Sequence, residues 1–184
     1  MMKLRLPHAP YIANKIAIDL ANCDFVNVLY GLDGVCKIAQ NFLEKNIQEE
    51  LKIEEQARDI VEENIEEIEF MQADEHQLFW KVKKHLAEQI GFELAWEDRY
   101  NSLSHKILNA LLQEDLIDFS VSETRVKNII FKAIDSYAKA YDEIEDIITE
   151  KINHYKRKIV FGSEEYDLIF DKLYQEELRK RGFL

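Results

Sequence analysis

The stretch KVKKHLAEQIGF at residues 81–92 returns in altered form as KLYQEELRKRGF at residues 172–183. Both copies begin with lysine and end in Gly-Phe, and they lie 91 residues apart (182 − 91). When residues 10–92 are aligned at this offset with residues 101–183, without a gap, 14 of the 83 pairs are identical. Chance pairing at ordinary residue usage gives about 6. We therefore predict that a unit of about ninety residues occurs twice.

Each unit is predicted to hold a short, a long and a medium helix, because apolar residues recur in steps of three and four. The short helices are predicted at 11–22 and 102–113, and the medium helices at 74–90 and 164–181. A long helix lies between them in each unit, with an apolar stripe from Val35 through Leu51 to Ile68 in the first and from Val126 to Ile159 in the second. In the last medium helix Leu168 is expected to face inward. The apolar stretches at 24–30 and 115–121 alternate weakly, which is typical of a small strand pair or an ordered loop. Asp74 and Ser163 suit helix starts, and Gly91 and Gly182 suit helix ends.

These elements predict an all-α helical bundle built from two tandem repeats, at 1–92 with an N-terminal arm and at 93–184. One copy alone would expose the apolar stripe of its long helix, so the copies are expected to pack about a pseudo-twofold axis, as one core or as two associated domains. Glu66 and Glu67 correspond to Arg157 and Lys158 at the offset of 91. We predict that these opposite charges lie within about 10 Å of each other.

The composition is that of a folded, acidic protein. Among 184 residues 47% are hydrophobic, only 5 are Gly and 2 are Pro, and the net charge is −12. That charge argues against nucleic acid and against an anionic membrane surface as partners. The sequence has no apolar run of membrane-spanning length and no signal peptide at its start, so we expect a cytoplasmic protein. Cys23 and Cys36 are expected to be reduced there.

The negative charge is concentrated between Glu49 and Glu75, where only Lys52 and Arg58 are basic. An ordinary solvated helix face explains such a run, and so does an acidic surface that docks a basic protein partner. The residues proposed for that surface are Glu54, Glu55, Glu62, Glu63, Glu66 and Glu67.

The N-terminal run from Leu4 to Ile16 is polar and aromatic in a way that core packing does not require. It is interpreted either as an arm that staples the bundle or as one side of a pocket at the repeat junction. The candidate binding residues are Arg5, His8, Tyr11, Asn14, Lys15, His105 and Lys106.

The known catalytic and metal-binding patterns are absent from the sequence. It has no Gly-rich phosphate loop, no His-Glu-x-x-His and no Gly-x-Ser-x-Gly. No Glu-x-x-His pair of the di-iron type occurs either. We therefore predict no catalytic residue, no cofactor and no metal site.

Several runs are similar to a small bacterial family known as domain of unknown function 507. They are Arg5-Leu6-Pro7, the run from Pro10 and Tyr11 through Asn14-Lys15-Ile16-Ala17 to Asp19-Leu20, and His105-Lys106-Ile107-Leu108 with Leu111-Leu112. The resemblance covers essentially the whole chain. It implies a cytoplasmic bacterial protein and brings no known activity, cofactor or catalytic residue.

Three functions follow as hypotheses. The first is a non-enzymatic interaction module that presents an acidic helix to a basic partner. In one form of this hypothesis the protein is also a homo-oligomer. The second is a ligand-binding or enzymatic bundle with a pocket at the repeat junction. The third is a nucleic-acid role through Lys156, Arg157, Lys158 and the basic C-terminus.

Overall fold

The computed structural model describes residues 4–71, 74–157, 159 and 163–183, apart from the side chains at 68 and 69. The predicted all-α helical bundle is confirmed. A 3-10 turn at Leu6–His8 precedes the regular elements. They are α1 (Ala9–Ala21), β1 (Val26–Val28), α2 (Leu32–Glu63), α3 (Ile65–Phe70), α4 (Glu75–Ile90), α5 (Trp96–Gln113), β2 (Ile117–Phe119), α6 (Glu123–Asn153) and α7 (Glu164–Lys180).

Of the two alternatives for the stretches at 24–30 and 115–121, the structure shows the strand pair, which joins the two halves of the chain. Strand β1 pairs antiparallel with β2, with Asn27 opposite Asp118 at the centre of the ladder. These two residues are themselves 91 positions apart (118 − 27). The flanking pairs are Val26 with Phe119 and Val28 with Ile117. The offset of 91 relates Val26 to Ile117 and Val28 to Phe119, so it exchanges these two pairs. The ladder is therefore symmetric about its central pair.

The hydrophobic core draws on both halves of the chain. Helix α1 packs against α2 and α6, and α5 packs against α6 and α2, so each short helix contacts both long helices. Their apolar residues at helical spacing, such as Ile16, Leu20, Ile107 and Leu111, are fully buried in one cluster. Burial of this apolar surface is the main force holding the halves together.

Helices α4 and α7 pack on the outer side, α4 against α2 and α7 against α6. Both medium helices end as predicted, with a glycine in the left-handed region at Gly91 (φ 70°) and Gly182 (φ 74°). The N–H of Phe92 donates to the carbonyl of Ala87 at 2.8 Å, and that of Phe183 to Leu178 at 3.0 Å. These bonds satisfy carbonyls that the helix ends leave open.

The predicted helix starts are also confirmed. The Asp74 carboxylate accepts hydrogen bonds from the backbone N–H groups of His76 and Gln77. The Ser163 hydroxyl accepts one from the N–H of Tyr166. Both caps satisfy N–H groups that have no partner inside the helix.

Three details differ from the sequence prediction. Helix α5 begins at Trp96 instead of 102, because Arg99 and Tyr100 add a buried turn. Helix α6 ends at Asn153, before the predicted end of its stripe at Ile159. Leu51 and Leu168, predicted to face inward, are 42% and 73% exposed. In α2 the buried stripe instead follows Glu50, Ile53 and Ala57.

The long helices α2 and α6 begin 91 residues apart (123 − 32), as do the strands. The tandem duplication itself stays a prediction. Within the described ranges, no helix combines the length and the apolar character that crossing a membrane requires.

Candidate functional site

The N-terminal candidate residues pack against the end of the chain. His8 is 3% exposed, and its ring lies 4.5 Å from that of Tyr141 and 5.7 Å from that of Tyr137. The backbone N–H of Arg5 donates to Nδ1 of His8 at 3.1 Å. The ring of Tyr11 meets that of Tyr174 edge-on. Arg5, His8 and Tyr11 therefore tie the N-terminal segment to α6 and α7.

Asn14 and Lys15 contact Phe183 at the other end of the chain. Nδ2 of Asn14 donates to the Phe183 carbonyl at 3.1 Å, and Nζ of Lys15 lies 5.9 Å from the centre of its ring. Lys15 also forms an ion pair with Asp19. Phe183 is 4% exposed and packs edge-on against Tyr137 at 5.2 Å. These contacts fasten the C-terminus onto α1.

His105 and Lys106, the remaining candidates for this pocket, lie elsewhere. Both are exposed on α5. Lys106 lines a separate cavity of 280 Å³ with Asn46, Phe92 and Arg99. The structure therefore does not gather the predicted junction residues into one pocket.

Burial makes the charged form of His8 costly. It lowers the pKa of the imidazole from 6.5 to about 4, and the nearby Arg5 charge acts in the same direction. The unfolded chain therefore binds a proton near pH 6.5 that the folded chain binds only near pH 4. The stability linked to His8 is complete above pH 6.5 and is lost as the pH falls from 6.5 to about 4.

We predict that His8→Gln removes part of the acid sensitivity of folding. Between pH 7 and pH 4.5 the wild type should lose about 2 kcal/mol of unfolding free energy through His8, and the variant should lack this component. Urea unfolding at both pH values measures the difference. The exposed His105 provides the matched control, and His105→Gln should keep the wild-type difference. Equal pH dependence in all three proteins would contradict the assignment.

The proposed acidic residues divide into two groups. Glu55, Glu62, Glu63, Glu66 and Glu67 are exposed on α2 and α3. The side chain of Glu54 is only 13% exposed and forms an ion pair with Nζ of Lys83 at 2.8 Å. Arg157 forms an ion pair with Glu165, and Lys158 lies outside the described residues. The predicted attraction between positions 66–67 and 157–158 stays a prediction.

A buried cluster of charges joins α2, α4 and α5, and sequence reasoning did not find it. Lys83 is 2% exposed, Glu50 5% and Arg99 7%. Nζ of Lys83 donates to Oε1 of Glu50 at 2.8 Å, and Nη1 of Arg99 donates to Oε2 at 2.7 Å. Nε of Arg99 donates to the Asn46 side chain at 2.7 Å. We call Glu50, Lys83 and Arg99 the buried ion cluster.

The ion cluster keeps the Glu50 carboxylate charged. Burial by itself raises the pKa of this carboxyl group, but the charges and hydrogen bonds of Arg99 and Lys83 outweigh it and hold the pKa below its ordinary value. Nη2 of Arg99 is buried and has no hydrogen-bond partner among the described residues. Phe92 covers the guanidinium at 5.0 Å from its ring centre. An unsatisfied buried donor of this kind is uncommon.

The ion cluster lines a cleft of 550 Å³ between α2, α4 and α5. Its walls are mostly apolar and aromatic, and include Leu4, Trp80, Trp96 and Tyr100. Arg58 also lines it and is exposed. We call this space the tryptophan cleft. A mainly apolar cleft of this size with a few placed charges is typical of small-molecule sites.

The sequence carried only a weak signal for this site. Glu50 lies 33 residues from Lys83 and 49 from Arg99, so no short motif contains the cluster. The signal that was available is a charged residue on an otherwise apolar helix stripe, at Glu50 between Ile47 and Ile53. Such a residue is buried only when a partner neutralises it.

The carboxylates of the site, Glu50 and Glu54, already form ion pairs with Lys83 and Arg99. Within the described ranges no group of three or more His, Cys, Asp or Glu side chains is arranged to hold a metal ion. Cys23 and Cys36 are both free thiols.

Fold and site together define a class: an all-α bundle in which two helical halves share one core and enclose a cleft with a buried ion cluster. The chain belongs to the family described as "Protein of unknown function (DUF507)", whose match covers residues 2–183. No curated protein matches the chain.

Proposed function

We propose that the protein is a non-enzymatic interaction module that docks a basic protein partner on the exposed end of α2 and α3. The observation that carries this proposal is an exposed apolar pair among the glutamates. Phe70 is 88% exposed and Met71 is 65% exposed. We call the surface formed by Glu55, Glu62, Glu63, Glu66, Glu67, Phe70 and Met71 the acidic tip.

Apolar side chains surrounded by charge match the anatomy of protein interfaces. An aromatic residue that a partner covers contributes much of the affinity, while charges at the rim steer association and select partners of opposite charge. A large aromatic side chain left almost wholly in water gains nothing from folding. Phe70 therefore favours a partner that covers it.

The charges of the tip are available to a partner. The five exposed glutamates form no ion pair within the described part of the chain, whereas Glu50 and Glu54 are neutralised by Lys83. Because its five glutamates are not balanced internally, the tip attracts cations. A basic segment with an apolar anchor is the complementary partner.

The third hypothesis, nucleic-acid binding, receives less support. Arg157 pairs with Glu165, Arg181 with Glu143, and Lys180 with Glu177. These pairs reduce the net positive charge that would displace counterions from a phosphate backbone. A cytoplasmic location is part of our proposal and fits the two free cysteines.

Affinity capture from native lysate tests the docking proposal. The variants are Phe70→Ser with Met71→Ser, and the five tip glutamates changed to Gln. The matched control is Leu168→Ser, which alters an apolar residue on α7 that is 73% exposed. We expect a basic partner that both tip variants lose, that the control retains, and that raised salt releases.

A protein that all four forms capture equally would contradict docking at the tip. Capture only of a second copy of the chain would replace the basic partner with self-association. Nucleic acid recovered in place of protein would favour the third hypothesis.

A further inference from the structure

We propose that the tryptophan cleft binds a small flat molecule that carries one carboxylate. This inference is independent of the docking proposal, since the cleft and the acidic tip share no residue. It follows from the unused hydrogen-bonding capacity, the aromatic walls and the charge balance of the cleft.

Arg99, which lines the cleft, has a donor to spare. Arginine carries five N–H groups, and Arg99 uses Nε on Asn46 and Nη1 on Glu50. Nη2 keeps two N–H groups that no described residue accepts, although the side chain is 7% exposed. Leaving such a donor buried without a partner is unfavourable. A ligand oxygen is the group that would satisfy it.

The positions related to the ion cluster by the offset of 91 are packed without charges. The residues 91 positions from Glu50, Lys83 and Arg99 are Tyr141, Tyr174 and His8. Tyr141 contacts both of the others. The ring of Tyr141 lies 5.7 Å from that of Tyr174 and 4.5 Å from that of His8. Tyr141 thus contacts Tyr174 and His8 as Glu50 contacts Lys83 and Arg99, but through aromatic rings instead of charges.

Buried ion pairs rarely stabilise a fold more than apolar groups of similar volume do. The fold fills the corresponding position with Tyr141, Tyr174 and His8. Charges at Glu50, Lys83 and Arg99 are therefore not required by the architecture. A role in binding explains why charged residues occupy a position that aromatic residues pack elsewhere in the same chain.

The charges select the ligand. Glu50 and Glu54 balance Lys83 and Arg99, and Arg58 adds one positive charge at the cleft. A single negative charge completes this balance, whereas a doubly charged phosphate would also face two carboxylates. A carboxylate can accept two parallel N–H bonds from a guanidinium.

The walls select a flat, apolar body for that ligand. Trp80, Trp96 and Tyr100 line the cleft, and Nζ of Lys83 lies 4.9 Å from the centre of the Trp80 ring. Their apolar surface suits a planar molecule. Aromatic pairs are more favourable than the apolar area that they bury accounts for. An aromatic or similarly flat monocarboxylate therefore fits both parts of the site.

Intrinsic fluorescence provides a direct test, because both tryptophans of the chain line this cleft. The full chain is titrated with benzoate and, as its uncharged counterpart, with benzamide. We expect a saturable fluorescence change with benzoate and an affinity at least about tenfold lower for benzamide, which corresponds to losing one charge-assisted interaction. No saturable change up to about 10 mM benzoate would overturn the proposal, since even weak fragments of this size bind in that range.

Variants locate the interaction. Arg99→Lys keeps the positive charge but loses the planar guanidinium, which can donate two parallel N–H bonds. The affinity for benzoate should therefore fall about tenfold, while the affinity for benzamide stays unchanged. Arg58→Gln alters an exposed residue and should weaken benzoate severalfold. The control is Lys139→Gln, at an exposed ion pair on α6. Circular dichroism establishes that each variant is folded.

Unchanged benzoate affinity in folded Arg99→Lys would overturn the assignment of the carboxylate to Arg99. If that variant does not fold, Arg58→Gln and the ratio of benzoate to benzamide affinity decide. Equal binding of both probes would show an apolar cleft without carboxylate recognition and would also overturn the proposal.

Discussion

Replacement of Lys83 by methionine is expected to lower the free energy of unfolding by about 3–5 kcal/mol, since it leaves a buried carboxylate pair with too little positive charge. Lys83 is the residue that bridges Glu50 and Glu54, at 2.8 Å from each. Without it, Glu50 keeps only Arg99 as a partner. Urea unfolding followed by circular dichroism measures the loss.

Lys139→Met is the matched control. Lys139 also forms an ion pair, with Asp135, but its side chain is 62% exposed. Its replacement should cost no more than about 1 kcal/mol. Glu54→Gln combined with Lys83→Met should recover part of the loss, because it removes the carboxylate that Lys83 no longer neutralises while Glu50 keeps Arg99. A Lys83→Met protein as stable as the control would contradict our account of the ion cluster.

Phe183→Ala is expected to lower the free energy of unfolding by about 3–5 kcal/mol, the usual range for truncating a buried phenylalanine. Phe183 is 4% exposed and packs on Tyr137. Its carbonyl accepts the bond from Asn14 that fastens the C-terminus to α1. Losing the ring therefore leaves a cavity and loosens this contact between the two ends of the chain.

Phe92→Ala tests whether burial is the cause. Phe92 follows the other capping glycine but is only half-buried, beside Arg99. Phe92→Ala should lower the free energy of unfolding by about half as much as Phe183→Ala, in proportion to the apolar area that the side chain buries. Thermal or urea unfolding of both variants compares them. A larger loss at Phe92 than at Phe183 would contradict the packing described for the C-terminus.

Local signals allowed much of the fold to be predicted from the sequence. The capping glycines and the Asp74 and Ser163 caps depend on residues close together in the chain, and each is where the pattern indicates. The apolar stripe of α2 was harder to place. Over a helix of 32 residues the stripe rotates about the axis, so that Glu50 and Ile53 turn inward and Leu51 turns outward.

The sites were less predictable, because they depend on contacts between distant segments. Lys83 and Arg99 resemble ordinary surface residues of amphipathic helices until the packing of α4 and α5 on α2 buries them. His8 was singled out for its polar surroundings in the sequence, and the structure surrounds it with tyrosines that lie more than a hundred residues later. The exposure of Phe70 is likewise set by the helices around it.

Photo-crosslinking at position 70 tests most directly whether the acidic tip docks a basic partner. A benzophenone amino acid replaces Phe70 in one protein and Leu168 in the control, both at exposed positions. Irradiation in the native cells should join position 70, and not position 168, to a protein that is basic at the crosslinked segment. The same products from both positions, or products at position 70 that contain only a second copy of the chain, would contradict the proposed function.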